Sequence, residues 1–171
     1  MTAGNSTALT DGASAVLLAS DDFAAKNSLR IQGYFVDAEV AAVDFVHDAG
    51  LLMAPTFAVA RLLKRNNLSL QDFDYYEIHE AFAGQVLCTL KAWESDDYCK
   101  RTLGLDRALG SIDRAKMNVK GGSVAIGHPF GATGARIVAT LARLLDLKGS
   151  GRGLISICTG GGMGVAAILE K

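Results

Sequence analysis

Apolar residues recur at helical spacing in three stretches of the chain. The first starts at Pro55, a residue suited to the first turn of a helix, and ends at the asparagine pair 66–67. The second follows residue 82, and the third follows residue 136 and stops at a glycine-rich segment that begins with Gly149. Each of these three helices is predicted to bury one face.

Other stretches favour strands. Residues 30–40 alternate and carry β-branched and aromatic side chains, which is typical of a strand with one half-exposed face. Short runs predict a buried strand at 13–19 and a second strand at 73–78. Two further apolar runs, at 154–157 and 165–169, are joined by a glycine-rich turn, and we predict that they pair as a hairpin.

The order of these elements indicates the fold class. A serine suited to an N-cap precedes a short predicted helix at 23–26, and the polar residues 94–117 predict a solvated loop with no more than one helical turn. Helices that alternate with strands indicate an α/β layer sheet with right-handed crossovers. In such sheets ligand sites collect beyond the carboxyl ends of strands, which is where His79, His128 and Cys158 fall.

The composition supports a buried core. Half of the 171 residues are hydrophobic, which suffices for one domain, or for one domain and part of another. A formal charge of -1 with interspersed acids and bases gives no general field for nucleic acid or a membrane surface, and no apolar run is long enough to span a bilayer. Because the first residues lack the regions of a signal peptide, we expect a cytoplasmic protein, or a mitochondrial matrix protein in a eukaryote.

Three cysteines, at positions 88, 99 and 158, are odd in number and show no CxxC spacing. Neither a disulfide framework nor a zinc site is therefore expected, and a reducing compartment is the default. The histidine at position 47 has no chemical neighbour in the sequence, and we interpret it as a surface or packing residue.

His128 lies within the sequence GGSVAIGHPFGATG at residues 121–134. Proline fixes the backbone beside it and glycines permit close approach, so the ring should lie on a stiff turn before a helix. The positive end of the helix dipole opposes protonation, which favours a neutral ring that can act as a base near pH 7. The alternative is that His128 only caps a strand-to-helix crossover. A second glycine cluster at 160–162 favours the functional interpretation.

A cysteine and two histidines at the ends of neighbouring strands can bind a metal, relay protons, or pair as nucleophile and base. Metal binding fits least, because no acidic residue except Glu80 adjoins them. Proton transfer fits better, since a neighbouring imidazole or backbone dipole can shift the pKa of a thiol. The successive amides of residues 160–162 can hold an oxyanion, as thioester chemistry requires.

Three motifs occur in one order: HEAF at 79–82, the GHP-containing sequence above, and CTGGGMG at 158–164. Together with TAGN at 2–5 and TDG at 10–12, they resemble the C-terminal half of a thiolase. The resemblance covers essentially the whole chain, and three motifs in the family's order and at its spacing argue against a chance match.

What the resemblance implies begins with the fold. A thiolase-like layered α/β fold has a mixed sheet with helices on both faces. This chain would contain the C-terminal domain of that fold and the last strand of the N-terminal domain. Residues 1–27 would be the tail of that domain and residues 28–171 the C-terminal domain. The implied reaction is acyl transfer between 3-ketoacyl-CoA and coenzyme A, by thiolytic cleavage or the reverse Claisen condensation. Coenzyme A is then a substrate, and no covalently bound cofactor is expected.

The resemblance also implies roles for single residues. In thiolases the histidine of GHP activates a nucleophilic cysteine, and His128 occupies that position. The cysteine of CxGGG exchanges the α-proton of acetyl-CoA, which corresponds to Cys158, and the N–H of Gly160 helps hold the thioester oxygen. His79 stands where many thiolases have an asparagine that orients a water. A histidine there resembles the β-subunits of fatty-acid-oxidation multienzyme complexes, which implies longer acyl chains and an α-subunit as partner.

Two features of the resemblance are less complete. Ser6 or Thr7 falls where a family serine contacts pantetheine, which is a weaker match. Thiolases take their nucleophilic cysteine from the N-terminal half, which this sequence lacks; Cys88 lies on a predicted helix face and Cys99 in the polar segment, so neither replaces it. We therefore expect part of a thiolase that turns over no 3-ketoacyl-CoA alone, needs the N-terminal domain as partner, and forms a homo-oligomer.

Two alternatives stay open. A decarboxylating ketoacyl synthase shares the fold, but it obtains its carbanion by losing CO2 and does not need the thiol of Cys158 to remove a proton. A non-catalytic module that binds coenzyme A or dimerises is the rival for the isolated chain, because an unpaired half-fold exposes apolar surface.

Overall fold

A four-stranded sheet lies at the centre of the computed structural model, which describes residues 1–48 and 50–171. The strands lie in the order β1-β4-β3-β2, and their bounds are β1 (Tyr34–Ala42), β2 (Tyr75–Ile78), β3 (Arg152–Thr159) and β4 (Met163–Glu170). β3 and β4 form the antiparallel hairpin predicted from their glycine-rich connection, β1 is antiparallel to β4, and β2 is parallel to β3. The sheet is therefore mixed.

Helices surround this sheet. Within the described residues they are α1 (Asp21–Lys26), α2 (Ala54–Asn66), α3 (Ala83–Glu94), α4 (Asp96–Arg101), α5 (Ser123–Ile126) and α6 (Thr133–Lys148), with 3-10 turns at Ala3–Asn5 and Arg114–Lys116. Pro55 lies in the first turn of α2, and Gly149 ends α6 with a φ of 88°, both as predicted. None of these helices is long and apolar enough to cross a bilayer.

The two faces of the sheet carry separate apolar cores. On one face α2 and α3 pack against the strands, with Trp93 and Phe73 almost wholly buried. On the other face α6 covers the sheet through a smaller cluster of buried residues: Ile137, Leu141, Leu145, Ile155, Ala167 and Leu169. Helices on both faces of a mixed sheet confirm the predicted fold class.

The parallel pair of strands fixes the location of the site. Because β2 and β3 run in the same direction, their carboxyl ends meet at one edge of the sheet. His79 directly follows β2, and its backbone N–H donates to the carbonyl of Ser156 on β3 at 2.9 Å. Cys158 is the last residue but one of β3. The ring of His79 and the thiol of Cys158 are thereby brought to the same edge.

The strand predicted at 13–19 is not formed. These residues have no regular secondary structure and are all exposed. A strand is stable only when a neighbour satisfies its backbone groups, and no described strand runs beside this segment. An apolar run indicates a tendency towards burial, but it does not show whether another strand lies beside the segment to pair with it.

The polar segment 94–117 contains more structure than predicted. It includes α4, which the Ser95 hydroxyl caps by accepting from the N–H of Tyr98 at 3.2 Å. Cys99 is buried within α4 rather than in a solvated loop. Ile112 is buried as well and belongs to the core on the α2 side of the sheet.

Candidate active site

A cavity of about 930 Å³ opens at the edge of the sheet where β2 and β3 end. Its wall contains five of the residues that the motifs singled out, namely Thr7, His79, His128, Cys158 and Gly160. Apolar side chains line much of the remainder: Leu9, Phe35, Leu51, Leu52, Phe82, Phe130, Val138, Ile155, Ile157 and Val165. A few polar groups thus converge in an apolar pocket of a size suited to a small organic ligand.

Local hydrogen bonds fix the backbone that presents His79. The side chain of Asn118 accepts from the N–H of Ile78 and donates to its carbonyl, each at 2.8 Å. The same amide donates to the Glu80 carboxylate at 2.6 Å, and the N–H of Val124 donates to the other Glu80 oxygen at 3.1 Å. A side chain at Gly122 would overlap this carboxylate, which accounts for the glycine. The residues before and after His79, Ile78 and Glu80, are therefore both fixed by hydrogen bonds.

The ring of His79 is almost wholly buried. It is 2% exposed, and its Nδ1 lies 3.0 Å from the hydroxyl oxygen of Ser123. Arg136 donates to that same oxygen at 3.0 Å. Burial, together with the nearby charges of His128 and Arg136, lowers the pKa of His79 to about 4. The ring is consequently neutral at physiological pH.

His128 lies in the turn between α5 and α6. Its backbone N–H donates to the carbonyl of Ala8 at 2.9 Å, and its Nδ1 lies 2.6 Å from the hydroxyl oxygen of Thr133, the first residue of α6. That hydroxyl also donates to the carbonyl of Pro129 at 3.2 Å. The rings of His128 and His79 are neighbours, with centroids 4.3 Å apart.

The pKa of His128 is lowered, in the direction that the sequence predicted, but for a different reason. Burial of the ring is the main cause and the charge of Arg136 the second. Arg136 lies in the first turns of α6, so a side chain there opposes protonation where we had invoked the helix dipole. The result is a neutral imidazole next to a second neutral imidazole.

Cys158 contributes a protonated thiol. It is 5% exposed, and its Sγ donates to the side-chain oxygen of Gln85 at 3.4 Å. Burial raises the pKa of Cys158 to about 11, although hydrogen bonds from its own N–H and from that of Ala81 act in the opposite direction. At neutral pH the group is therefore a proton donor and a poor nucleophile.

Gly160 begins the turn between β3 and β4. The next two glycines have positive φ angles, 80° at Gly161 and 72° at Gly162. Residues with a side chain rarely adopt such angles. The carbonyl of Gly162 accepts from the N–H of Val43 at 2.9 Å, and a Cβ at Gly162 would lie 2.7 Å from the Val43 carbonyl. The turn that presents Gly160 to the cavity is thus fixed against the segment that follows β1.

The two candidate residues near the start differ in position. Thr7 lines the cavity, and its hydroxyl donates to the carbonyl of Ser123 at 2.6 Å. Its N–H also donates to the carbonyl of Ala81 at 2.9 Å, which ties this segment to the loop that follows β2. Ser6 is not part of the cavity wall, and its hydroxyl donates to the carbonyl of Thr2 at 2.7 Å.

The other cysteines lie away from the cavity. Cys88 is exposed on α3, and the buried Cys99 donates from Sγ to the carbonyls of Ala92 and Trp93 at 3.5 and 3.6 Å. His47 is exposed, as predicted, with Nδ1 3.1 Å from the Asp44 carboxylate. Across the described residues, no group of three histidine, cysteine or acidic side chains has the geometry of a metal site.

Four residues of the site were not singled out from the sequence: Gln85, Ser123, Thr133 and Arg136. Gln85 interrupts the apolar face of α3, which is a detectable signal, because a buried amide needs a partner. The other three lie within or just after the glycine-rich sequence around His128. Thr133 contacts His128 locally, five positions along the chain, whereas the contact of Ser123 with His79, and with it the role of Arg136, depends on how α5 and α6 pack against β2. Spacing along the chain does not show that packing.

Comparisons with known proteins agree with these motifs. The model of the family described as "Thiolase, C-terminal domain" matches residues 29–171. Over 170 residues the chain is 45% identical to the 3-ketoacyl-CoA thiolase of Shewanella loihica, a match that covers 99% of this chain and 38% of that protein. The chain therefore spans about 38% of the length of the curated relatives it matches.

Solved structures show the same likeness. The dimeric peroxisomal thiolase of Saccharomyces cerevisiae superposes with a TM-score of 0.77 at 38% identity, covering 99% of this chain and 38% of that one. A thiolase from Ascaris suum in complex with coenzyme A superposes with a TM-score of 0.73 at 31% identity, covering 99% of this chain and 39% of that one. Both confirm the layered fold that the motifs implied.

Proposed function

Since this chain belongs to the thiolase family, we propose that it forms the C-terminal part of an enzyme that transfers acyl groups between 3-ketoacyl-CoA and coenzyme A. One observation carries the proposal: two neutral imidazoles and a protonated thiol line a single apolar cavity. The Shewanella loihica relative is a 3-ketoacyl-CoA thiolase, and one structural neighbour holds coenzyme A. In this proposal residues 1–27 belong to the preceding domain and residues 28–171 form the C-terminal domain.

His128 is the proposed base. With the Thr133 hydroxyl donating to the carbonyl of Pro129, the Thr133 oxygen is left to accept from Nδ1 of His128. The other ring nitrogen, Nε2, is then unprotonated and can take the proton of an attacking thiol. A lowered pKa keeps the ring in this state at neutral pH.

Cys158 is the proposed acid in the cleavage direction. When a thiolate attacks the 3-keto carbon, the bond between the α- and β-carbons breaks and its electron pair remains on the α-carbon of the departing acetyl-CoA. That carbanion takes a proton, and the thiol of Cys158 carries one because burial raises its pKa to about 11. In the condensation direction the same sulfur, as thiolate, removes a proton from acetyl-CoA.

Backbone and side-chain donors would hold the oxyanions of the reaction. We assign one thioester oxygen to the N–H of Gly160 and the other oxyanion site to the ring of His79 next to that of His128, on the same cavity wall. Thr7 is the better candidate for a pantetheine contact, because Ser6 is not part of that wall. The apolar remainder of the cavity would receive the acyl chain.

The nucleophile must come from outside this sequence. Cys88 and Cys99 do not line the cavity, and Cys158 is held as a protonated thiol on a wall that already contains both histidines. We therefore propose that the chain alone turns over no 3-ketoacyl-CoA and acts together with an N-terminal thiolase domain. A homo-oligomer and an α-subunit of a β-oxidation complex are further proposed partners, in keeping with the dimeric yeast relative and with the histidine at position 79.

The experiment measures acetyl-CoA release from 3-ketoacyl-CoA and coenzyme A. The purified chain should show none, and turnover should appear when the part of the Shewanella loihica thiolase outside the matched 170 residues is supplied in trans. In the active mixture Cys158→Ser should abolish turnover, whereas Cys88→Ser, on the exposed face of α3, should not. Mass spectrometry then locates the acylated cysteine. Release at an enzyme-like rate by the chain alone, or no turnover in any mixture, would contradict the proposal.

A further inference from the structure

Polar contacts continue behind His79, on the side of the ring away from the cavity. Ser123 contacts Nδ1 of His79 at 3.0 Å, and Arg136 donates to the same Ser123 oxygen at 3.0 Å. Ser123 is 1% exposed and is not part of the cavity wall. The ring of His79 and the hydroxyl of Ser123 are therefore both shielded from water.

The guanidinium of Arg136 determines how those protons are distributed. It is always protonated and can only donate, so it occupies one lone pair of the Ser123 oxygen. The hydroxyl proton of Ser123 then needs an acceptor of its own. Within the described part of the chain, Nδ1 of His79 is the one acceptor that this hydroxyl contacts.

The opposite arrangement is unfavourable. If Nδ1 of His79 carried the proton, two N–H groups would converge on the Ser123 oxygen, and the buried hydroxyl would have no acceptor. A buried donor without a partner destabilises the folded state. The contacts therefore favour Ser123 as donor and Nδ1 of His79 as acceptor.

We propose that Ser123 and Arg136 are positioning residues that hold His79 in the tautomer with its proton on Nε2. Nδ1 and Nε2 lie at opposite edges of the ring, and Ser123 occupies the Nδ1 edge. The N–H of Nε2 is thus the one left for the cavity, next to the ring of His128. The two neighbouring histidines then differ: His79 presents a donor and His128 an acceptor.

Neutrality of the ring makes this tautomer well defined. Burial and the charges of His128 and Arg136 hold the pKa of His79 near 4, so the doubly protonated ring is rare at neutral pH. The use of the Nε2 donor to hold an oxyanion rests on the proposed function. The tautomer itself does not, because it follows from contacts within the protein.

Nitrogen-15 NMR of the chain labelled at histidine tests the proposal at neutral pH. The chain has three histidines, and His47→Gln and His79→Gln variants assign their signals. For the unaltered chain we expect the His79 spectrum of a neutral ring with a protonated Nε2 and an unprotonated Nδ1. Neither acyl-CoA nor turnover is needed for this measurement.

Variants then test the role of the two positioning residues. Ser123→Ala and Arg136→Met should each raise the population of the Nδ1-protonated form of His79 severalfold, whereas Ser123→Thr, which keeps the hydroxyl, should restore the Nε2 form. Ala125→Ser, which adds an exposed hydroxyl to the same short helix, should leave the spectrum unchanged. If one of the two disruptive variants fails to fold, the other decides.

Two results would overturn the proposal: a proton on Nδ1 of His79 in the unaltered chain, or an unchanged tautomer in every folded variant that lacks the Ser123 or Arg136 contact. The outcome is separate from that of the turnover assay. A chain with the Nε2 tautomer that shows no turnover in any mixture would contradict the thiolase function and leave the positioning role intact.

Discussion

Among single residues, burial is the main influence on the protonation of the site. It lowers the pKa of His79 and His128 and raises that of Cys158, so that both rings are neutral and the thiol keeps its proton. Glu77 is another buried titratable group. It lies on β2 two residues before His79, is 2% exposed, and has one carboxylate oxygen without a hydrogen-bond partner among the described residues.

Glu77 should make the stability of the fold depend on pH. Burial raises its pKa from 4.5 to about 7, although the charge of Arg136 acts in the opposite direction. Between these two values the folded chain keeps a proton that the unfolded chain has released. The free energy of unfolding should therefore fall as pH rises through this window. Glu77 contributes up to about 1.4 kcal/mol per pH unit to this fall.

The variant Glu77→Gln removes this dependence. Measured by urea unfolding, its free energy of unfolding should rise relative to the unaltered chain as pH increases from 4.5 to 7. The histidines titrate in both proteins and so cancel in the comparison. Glu94→Gln, which alters an exposed carboxylate at the end of α3, is the matched control and should show no such trend. Parallel pH curves for Glu77→Gln and the unaltered chain would show that Glu77 does not titrate in this range.

At the scale of elements, the sequence was most informative where structure depends on local contacts. The hairpin and the helices α2, α3 and α6 follow from apolar periodicity and end signals within each segment. The strand at 13–19 was wrong because a strand also needs a distant partner. Helix α4 was missed because its signals are polar rather than apolar. The Ser95 hydroxyl caps it, and Asp96 and Asp97 pair with basic residues four positions later.

The candidate site shows the same division. His79, His128 and Cys158 could be placed together because each follows or ends a predicted strand, or lies in a glycine-rich motif. Ser123 and Arg136 could not, since Ser123 contacts His79 across 44 positions in the sequence and Arg136 reaches the ring only through Ser123. A protonation state that depends on such packing is visible only once the elements have been assembled.

β4 and α2 approach each other closely at Gly164. A Cβ at Gly164 would lie 2.5 Å from the backbone nitrogen of Pro55 and 2.8 Å from the carbonyl carbon of Ala54. Gly164 also pairs with Cys158 across the hairpin, so a shift of β4 would reach the site. Neither obstacle is a flexible side chain, and the helix or the strand must therefore move to admit a side chain here.

We expect Gly164→Ala to destabilise the chain by about 1–3 kcal/mol, because overpacking displaces backbone. The urea midpoint measures this effect. Gly134→Ala is the matched control, since a Cβ at that position of α6 meets no atom within 4 Å; it should be neutral or stabilise by up to about 1 kcal/mol. Equal midpoints for Gly164→Ala and the unaltered chain would mean that β4 and α2 separate easily.

At the scale of the whole molecule, the isolated chain exposes several large apolar side chains to solvent. Leu9, Leu17, Leu18 and Phe130 are each 73–74% exposed. Three of them lie in the segment before α1 that lacks regular structure, and Phe130 borders the cavity. Exposed large apolar groups that lie close together favour association, whereas single ones are common on protein surfaces.

The isolated chain should therefore self-associate in a concentration-dependent way. In sedimentation velocity its average mass should rise with concentration, and Leu18→Lys should weaken this rise because it places a charge within the apolar segment. Leu147→Lys changes the net charge equally at a single exposed leucine, 63% accessible, near the end of α6. It should therefore associate like the unaltered chain. If all three proteins sediment as monomers at every concentration, the exposed segment is not a contact surface. If both variants weaken association equally, net charge rather than the apolar segment controls it.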